Sequence, residues 1–234
     1  MKEVVVISLL TYSDSVNVSF LWWLDSIRLL NNDPNHPRQY EIMYVPGYRP
    51  VAFARNMAVK EFLKHPTATK MWFIDDDLVP TENSLKIFES SADIVSGLYY
   101  LLLMDNGVPK VSSSIYTKVG SGFDQIDIKN RLLGQDIVPI DAAGTGTLLI
   151  SRKIFDDNRM KLSGDYLTAE GEPTTLTEDE AIPYFRTLFK ANGCEERSED
   201  IDFVWRCKQL GYRCEAVLDA RFLHKKEILI DWFI

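Results

Sequence analysis

The stretch Met71–Pro80, with the sequence MWFIDDDLVP, constrains this chain more than any other segment. A short run of bulky apolar residues ends in three consecutive aspartates, which predicts a buried strand with carboxylates at its end. Because side chains alternate along a strand, Asp75 and Asp77 are expected to share one face while Asp76 points the other way. Neighbouring carboxylates repel and are costly to desolvate, so a cation bridging Asp75 and Asp77 would remove that cost. The alternative is an acidic, solvated turn.

Length and composition indicate a globular chain. With 234 residues, 46% hydrophobic and 26% charged, it can bury one sizeable core, as one large domain or two lobes. No apolar run is long enough for a membrane span, and the short run Val4–Leu10 is predicted to be a first strand and not a signal peptide. The three cysteines, Cys194, Cys207 and Cys214, lack metal-type spacing and favour a reducing compartment. The net charge of −8 argues against a broad nucleic-acid footprint.

The first half of the chain alternates strand and helix patterns. The predicted order is a strand over 4–10, a helix over 18–30, a loop over 31–37, strands over 40–45 and 71–74, a helix over 50–63 between them, a helix over 81–91 capped by Thr81, and a strand over 93–98. This rhythm predicts βαβ units in a parallel sheet. Ligands of such sheets bind at the carboxyl edge of the strands, where the aspartates fall.

The second half predicts antiparallel pieces. Residues 99–114 are expected to form a hairpin that turns at Asp105-Asn106-Gly107. The segments 137–140 and 147–150 bracket a run of small residues that permits close approach of a ligand or a backbone. A helix is predicted over 151–157, and the polar segment 164–180 is either a mobile loop or disordered. A helix over 198–210, ended by Gly211, is followed by a strand over 213–217 and by an apolar stretch over 222–224 that ends in His224.

Two helix starts carry polar side chains suited to chemistry. Arg55 and Asn56 lie near the N-terminus of the second helix, where backbone N–H groups favour anions, so Arg55 could reach a phosphate. The alternative for Arg55 is a surface salt bridge. Glu199 and Asp200 lie in the first turn of the helix that follows Ser198, where acids also simply favour the helix dipole.

An ordered set of motifs resembles one family. The sequence IDDDLVP over 74–80 resembles the DxD motif of GT-A glycosyltransferases. The segments VAFARN over 51–56, GTGTLLISR over 144–152, SEDIDF over 198–203 and the late His224 follow the order that this family shows. The resemblance covers roughly residues 4–224, and compact members without a membrane anchor are similar to enzymes of bacteriophages and large DNA viruses.

The resemblance implies an α/β chain with the GT-A fold: a Rossmann-like mixed central sheet flanked by helices, with a smaller antiparallel second half. It implies a single domain, with residues 1–100 as the nucleotide-binding half and 101–234 as the acceptor-binding half. The implied activity is transfer of a sugar from a nucleotide-sugar donor, a UDP-sugar, to a hydroxyl of a glycan, glycoprotein or other acceptor, with inversion. The implied location is cytoplasmic, in the host if the protein is viral.

The resemblance also implies roles for individual residues. Asp75, Asp77 and His224 would hold Mn²⁺ or Mg²⁺, and one imidazole among oxygen ligands suits Mn²⁺ better. Asp200 matches the catalytic base of inverting members. The other implied contacts are Thr11 and Tyr12 to the base, Asp76 to the ribose, Arg55 and Asn56 to the nucleotide, and Gly144, Thr145, Gly146 and Glu199 to the sugar or acceptor.

Two other classes remain open from the sequence. The run Asp75–Val79 also fits the hhhhDxDxV motif of haloacid-dehalogenase-like phosphatases, in which the first aspartate is the nucleophile and Mg²⁺ assists. Such motifs follow the first strand, whereas this one follows the third predicted strand. A non-catalytic module that binds sugar nucleotides would not require Asp200 beside a metal site.

Overall fold

The computed structural model describes residues 2–11, 18–46, 50–105, 108–128, 136–162, 166–167, 173–174, 183–189 and 195–225. The helices within these ranges are α1 (Val18–Asn32), α2 (Val51–Leu63), α3 (Arg152–Asp156) and α4 (Glu199–Gln209), with short 3-10 helices over Ser84–Glu89 and Asn158–Met160. The strands are β1 (Glu3–Thr11), β2 (Arg38–Pro46), β3 (Ala68–Asp75), β4 (Leu78–Pro80), β5 (Ile94–Leu98), β6 (Tyr100–Asp105), β7 (Val108–Ser113), β8 (Ile115–Val119), β9 (Gly122–Gln125), β10 (Ile137–Pro139), β11 (Ala142–Ala143), β12 (Thr147–Ser151), β13 (Tyr166–Leu167), β14 (Pro173–Thr174), β15 (Leu188–Phe189), β16 (Glu195–Arg197) and β17 (Cys214–His224).

An eight-stranded mixed sheet forms the centre of the fold. Seven strands follow the order β10-β17-β5-β12-β3-β1-β2, and β4 pairs with β17. β1 runs parallel to β2 and β3, β17 runs parallel to β5, and β12 is antiparallel to both of its neighbours. The hairpin β6–β7 and the three-stranded sheet β11-β8-β9 are antiparallel and lie in the second half. The predicted fold class, α/β with a mixed central sheet and a smaller antiparallel second half, is confirmed; the division near residue 100 stays a prediction.

Both faces of the sheet are covered, as β3 shows. Its side chains alternate between two hydrophobic clusters, with Met71 and Phe73 on the face of α2 and α4, and Trp72 and Ile74 on the face of α1. These four side chains are completely buried. A strand buried on both faces reads as a continuous apolar run, which is the pattern of this segment. By the same alternation, Asp75 at the end of β3 lies on the side of α2 and α4.

The helix α4 has the charge pattern that stabilises its two ends. Its first turn contains Glu199, Asp200 and Asp202, and its last turn contains Arg206 and Lys208. Acids near the N-terminus and bases near the C-terminus complement the helix dipole. Gly211, with φ of 88°, follows the C-cap in the left-handed conformation that glycine adopts readily.

Two predicted elements differ from the structure. The segment predicted as a helix over 81–91 is a shorter 3-10 helix over Ser84–Glu89 with Asn83 at its N-cap. The Thr81 hydroxyl lies before it, where it donates to the carbonyl of Arg221 at 2.8 Å and accepts from the N–H of Asn83 at 3.3 Å. The strand predicted over 213–217 is longer than expected, because β17 continues through the apolar stretch 222–224 to His224. The predicted turn at Asn106-Gly107 and most of 164–180 lie outside the described residues. In the described part, no helix has the length and apolarity needed to cross a membrane.

Candidate functional site

The carboxyl ends of β1 and β3 bring several predicted site residues to one edge of the sheet. Leu10 pairs with Asp75 in the parallel register, and the N–H of Asp76 donates to the carbonyl of Leu10 at 3.2 Å. Thr11 is the last residue of β1, so it lies beside these two aspartates. The N–H of Asp75 donates to the carbonyl of Gly146 at 3.0 Å, which attaches the glycine-containing segment to the same edge. Tyr12 lies outside the described residues.

Arg55 is buried and holds two carboxylates. Its terminal nitrogens Nη1 and Nη2 donate to Asp75 Oδ1 and Oδ2, both at 3.1 Å, and its Nε lies 3.4 Å from Glu199 Oε1. Burial opposes the charge of Arg55, but Asp75 and Glu199 outweigh it and raise the pKa of the guanidinium above its ordinary value. The side chain is only 4% exposed, so the alternative of a surface salt bridge is wrong. The predicted phosphate contact stays a prediction.

Replacing Arg55 by Met is expected to destabilise the fold by about 3–5 kcal/mol, because removing one partner leaves buried carboxylates unpaired. The loss should shrink as the pH is lowered, since Glu199, whose pKa burial already raises, can then take up a proton. Urea unfolding at neutral and mildly acidic pH measures both effects. The matched control is Arg221→Met, whose side chain is 61% exposed, and it should change stability little. Equal losses in both variants would contradict a structural role for Arg55.

Asn56 is buried beside Arg55 and binds backbone groups. Its Nδ2 donates to the carbonyl of Phe185 at 2.9 Å, and its Oδ1 accepts from the N–H groups of Tyr184 at 2.8 Å and Phe185 at 2.9 Å. These contacts anchor the segment 183–189 to α2. The predicted contact of Asn56 with a nucleotide stays a prediction. In the structure its side-chain amide binds the backbone of Tyr184 and Phe185.

The substitution Asn56→Ala is expected to cost about 2–5 kcal/mol, because three buried backbone groups lose their partner at about 1–3 kcal/mol each before relaxation. Chemical denaturation of the variant checks this value. Asn35→Ala, at an exposed position, serves as the control and should leave the unfolding midpoint nearly unchanged. A midpoint for Asn56→Ala that matches this control would rule out the anchoring role.

Asp77 pairs with His224 instead of sharing a strand face with Asp75. The strand β3 ends at Asp75 and residues 76–77 form a turn, so the extrapolated alternation is wrong. The turn, together with the pairing of β4 with β17, brings Asp77 Oδ2 to 2.9 Å from Nε2 of His224. The other ring nitrogen, Nδ1, lies 3.1 Å from the carbonyl oxygen of Tyr100.

The His224 ring therefore lies between two oxygen acceptors. A carbonyl can only accept, so Nδ1 must carry a hydrogen towards Tyr100. In a neutral ring Nε2 then presents its lone pair to the carboxylate of Asp77, and a proton or a cation is required between them. Carboxylate oxygen and imidazole nitrogen together suit a divalent transition-metal ion. Asp77 and His224 thus fit a metal.

The predicted three-residue ligand set is not assembled in the described part of the chain. No group of three or more His, Cys, Asp or Glu side chains there could hold a metal. The physical reason is that both oxygens of Asp75 are engaged by Arg55. Any metal held by Asp77 and His224 would take its remaining ligands from a bound substrate or water.

Tyr99 connects the pieces of the site, and the sequence analysis missed it. An added Cβ at Gly144 would overlap the Tyr99 hydroxyl and lie 3.7 Å from Asp200 Oδ2, and one at Gly146 would lie 3.0 Å from the same hydroxyl. The ring of Tyr99 also packs edge-on against His224, with centroids 5.8 Å apart. Burial, followed by the charges of Asp75 and Asp200, raises the pKa of Tyr99 well above its ordinary value. Applying the carboxyl-edge rule to the end of β5 would have pointed to Tyr99.

Asp200 begins α4 with one oxygen engaged and the other near the glycines. Its Oδ1 accepts from the Ser198 hydroxyl and from the N–H of Ile201, the latter at 2.7 Å. Its Oδ2 is the atom near Gly144. Burial raises the pKa of the neighbouring Glu199 above its ordinary value, and the charge of Asp200 adds to this while Arg55 opposes it. Asp200 therefore contributes negative charge to a partly desolvated site.

Thr145 lies between the two glycines and is 1% exposed. Among the described residues its hydroxyl oxygen has no hydrogen-bond partner. The structure thus brings together Asp75, Asp200, Gly144, Thr145, Gly146, Glu199 and Arg55 around Tyr99, with Asp77 and His224 beside them. The roles predicted for these residues stay predictions.

Comparisons with solved structures find similar architectures. A protein from STIV is 17% identical, with 100% of this chain and 99% of that chain covered and a TM-score of 0.49. A mutant of Drosophila β1,4-galactosyltransferase 7 in complex with manganese, UDP-Gal and xylobiose is 13% identical, with 95% and 71% covered and a TM-score of 0.47. A glycosyltransferase involved in glycosylation of the major capsid of PBCV-1 is 10% identical, with 65% and 61% covered and a TM-score of 0.35.

Glycosyltransferases are thus among the structural neighbours of this chain. At these identities and with TM-scores below 0.5, the similarities assign no activity, and the function must be inferred from the site. No protein-family model matches the sequence, and no curated protein matches it either.

Proposed function

We propose that this protein is a metal-dependent glycosyltransferase of the GT-A type that moves a sugar from a UDP-sugar to an acceptor hydroxyl with inversion. The observation that carries the proposal is the clustering of Asp75, Asp200 and the Gly144–Gly146 segment around Tyr99, at the carboxyl edge of β1 and β3. Ligands of α/β sheets bind at such an edge. The order of the sequence motifs supports the same class.

Asp200 is the base in this proposal. Its Oδ2 takes the proton of the acceptor hydroxyl as that oxygen attacks the anomeric carbon, and the bond from this carbon to the diphosphate oxygen breaks. Attack from the side opposite the leaving group inverts the configuration. Glycine at positions 144 and 146 lets the Tyr99 hydroxyl pack against this segment beside Asp200, because a side chain at either position would collide with that hydroxyl.

Asp77 and His224 are the residues that would hold the divalent cation, Mn²⁺ or Mg²⁺. Such an ion would neutralise negative charge on the leaving diphosphate. We assign the nucleoside contacts to three residues by their position in the sequence. Thr11 is the last residue of β1, Tyr12 follows it, and Asp76 follows β3. Arg55 supports the site by fixing Asp75 and Glu199, which is a positioning role.

The contacts of Asp75 argue against the phosphatase alternative. In that chemistry the first aspartate attacks phosphorus and needs a free carboxylate oxygen. Here Arg55 binds both oxygens of Asp75 at 3.1 Å. A module that only binds sugar nucleotides would not require the partly buried carboxylate of Asp200 at this site, which argues against the second alternative.

Incubation with a set of sugar nucleotides and Mn²⁺ tests the proposal. A transferase slowly releases nucleoside diphosphate, a phosphatase releases inorganic phosphate, and a binding module releases neither. We expect release of UDP from at least one UDP-sugar, and a rise in melting temperature with the same donor, because a ligand selective for the native state stabilises it. The UDP-Gal and manganese bound by the Drosophila enzyme are suitable first probes. Release of phosphate alone would overturn the proposal.

A further inference from the structure

One face of the β8–β9 hairpin lies against α4. Tyr116 and Lys118 on β8 are paired with Gln125 and Phe123 on β9, so these four side chains share a face. The ring of Trp205 on α4 packs edge-on against Phe123, with centroids 5.5 Å apart. All five side chains are only partly buried.

Two cations lie over this aromatic pair. The Lys118 ammonium is 4.7 Å from the ring centre of Phe123 and 5.6 Å from that of Trp205. The guanidinium carbon of Arg197 is 5.8 Å from the ring centre of Phe123. These distances are in the range of cation–π contacts. We call Lys118, Phe123, Arg197 and Trp205 the cationic platform.

Positive side chains outnumber negative ones around Asp202, which contacts the cationic platform through Arg197. Asp202, only 1% exposed, is contacted by Arg186 at 3.3 Å, Arg197 at 3.2 Å and Arg206 at 2.8 Å. One carboxylate thus faces three guanidinium groups, of which the Arg186 side chain is 38% and the Arg197 side chain 21% exposed.

The carboxylate of Asp141 does not offset this excess. It accepts from the backbone N–H of Lys118 at 2.8 Å but is paired with Lys208 at 3.0 Å. The whole chain carries a net charge of −8, so a positive region is unexpected from composition.

The cationic platform begins beside the proposed base. Burial raises the pKa of Tyr116, the Gln125 hydrogen bond opposes this, and the charge of Asp200 adds to the rise, which places Asp200 near Tyr116. Tyr116 and Lys118 lie two residues apart on the same face of β8, about 7 Å along the strand. A sugar with a hydroxyl at Asp200 can therefore extend over the cationic platform.

We propose that the cationic platform binds the acceptor, and that this acceptor is an anionic sugar, bearing a carboxylate or a phosphate. This inference rests on the proposed function, since it takes Asp200 as the base. The guanidinium of Arg197 and the ammonium of Lys118 match carboxylate and phosphate oxygens, and the contacts with Phe123 and Trp205 hold these two cations in place.

Direct binding measurements test the inference without turnover. Methyl β-glucuronide, glucose 6-phosphate and neutral methyl β-glucoside are titrated into the wild-type protein and followed by NMR. At low salt, at least one charged sugar is expected to bind about tenfold more tightly than the neutral one. This difference in affinity is typical of one charge-assisted hydrogen bond. High salt should remove most of this preference. Comparing the affinities for methyl β-glucuronide and glucose 6-phosphate shows whether the site prefers a carboxylate or a phosphate.

Two lysine variants make the test specific. Lys118→Gln is expected to weaken binding of the preferred charged sugar about tenfold, and it leaves the Asp202 contacts intact. Lys153→Gln is the control, because this lysine is 60% exposed and pairs with Asp93 on another part of the surface. Equal affinities for charged and neutral sugars, or equal losses in both variants, would overturn the inference.

The two proposals fail in different ways. Release of UDP by the wild type with no preference for charged sugars would retain the transferase and overturn the anionic acceptor. Binding of charged sugars with no UDP release from any donor would overturn the transferase, and with it the role of the cationic platform in holding an acceptor.

Discussion

Replacing Asp77 by Asn is expected to abolish the Mn²⁺-dependent part of UDP binding while the fold stays intact. The Asp77 side chain is 51% exposed, so little of the core depends on it. An asparagine amide can still hydrogen-bond to Nε2 of His224, but it lacks the charge that draws a cation to this pair. Isothermal titration of UDP with and without Mn²⁺ measures the difference. UDP alone is used because the sugar of the natural donor is not needed for this contact.

The control for this variant is Asp25→Asn. Asp25 is also exposed, at 72%, and its partner is Arg28 on the same helix. This control should keep the full dependence on Mn²⁺, and both variants should bind UDP like the wild type in the presence of a chelator. If Asp77→Asn retains the dependence on Mn²⁺, Asp77 is not a metal ligand.

The central sheet was predictable because its signals are local. The runs over 4–10 and 71–74 are apolar and continuous, and a strand buried on both faces requires this. The helix α4 was predictable from Ser198, its acidic first turn and Gly211. The order of these elements predicted the parallel part of the sheet, whereas the mixed central sheet, with β12 antiparallel between β3 and β5, was implied only by the family resemblance.

The contacts between the side chains of the candidate site were not predictable from such local signals. Arg55 lies 20 residues from Asp75 and 144 residues from Glu199, so their contact depends on how α2 and α4 pack on one sheet face. A motif shows that an arginine is present but not that it is buried. The pairing of Asp77 with His224 spans 147 residues and depends on a turn that ends the alternation of β3.

Replacing Asp200 by Asn is expected to lower sugar transfer by about 10²–10⁴, the usual contribution of a general base. The amide keeps the shape of the side chain, and its oxygen can still accept from Ser198 and from the N–H of Ile201, but it cannot take a proton from the acceptor. Affinity for the donor and for Mn²⁺ should stay close to wild type. Initial rates of UDP release in the presence of an acceptor, together with titrations of the donor, separate these quantities.

The stability of the Asp200→Asn variant separates catalysis from helix capping. The charge of Asp200 raises the pKa of Glu199, so the neutral amide relieves repulsion and should leave the melting temperature equal or higher. A residue that only favours the N-terminus of α4 would behave in the opposite way, with a loss of about 0.3–1 kcal/mol and unchanged rates. Proton NMR of the first product of the wild-type enzyme gives an independent result, because a single displacement assisted by Asp200 inverts the anomeric configuration. Retained configuration, or full activity of Asp200→Asn, would remove Asp200 from the reaction and leave only its place in the first turn of α4.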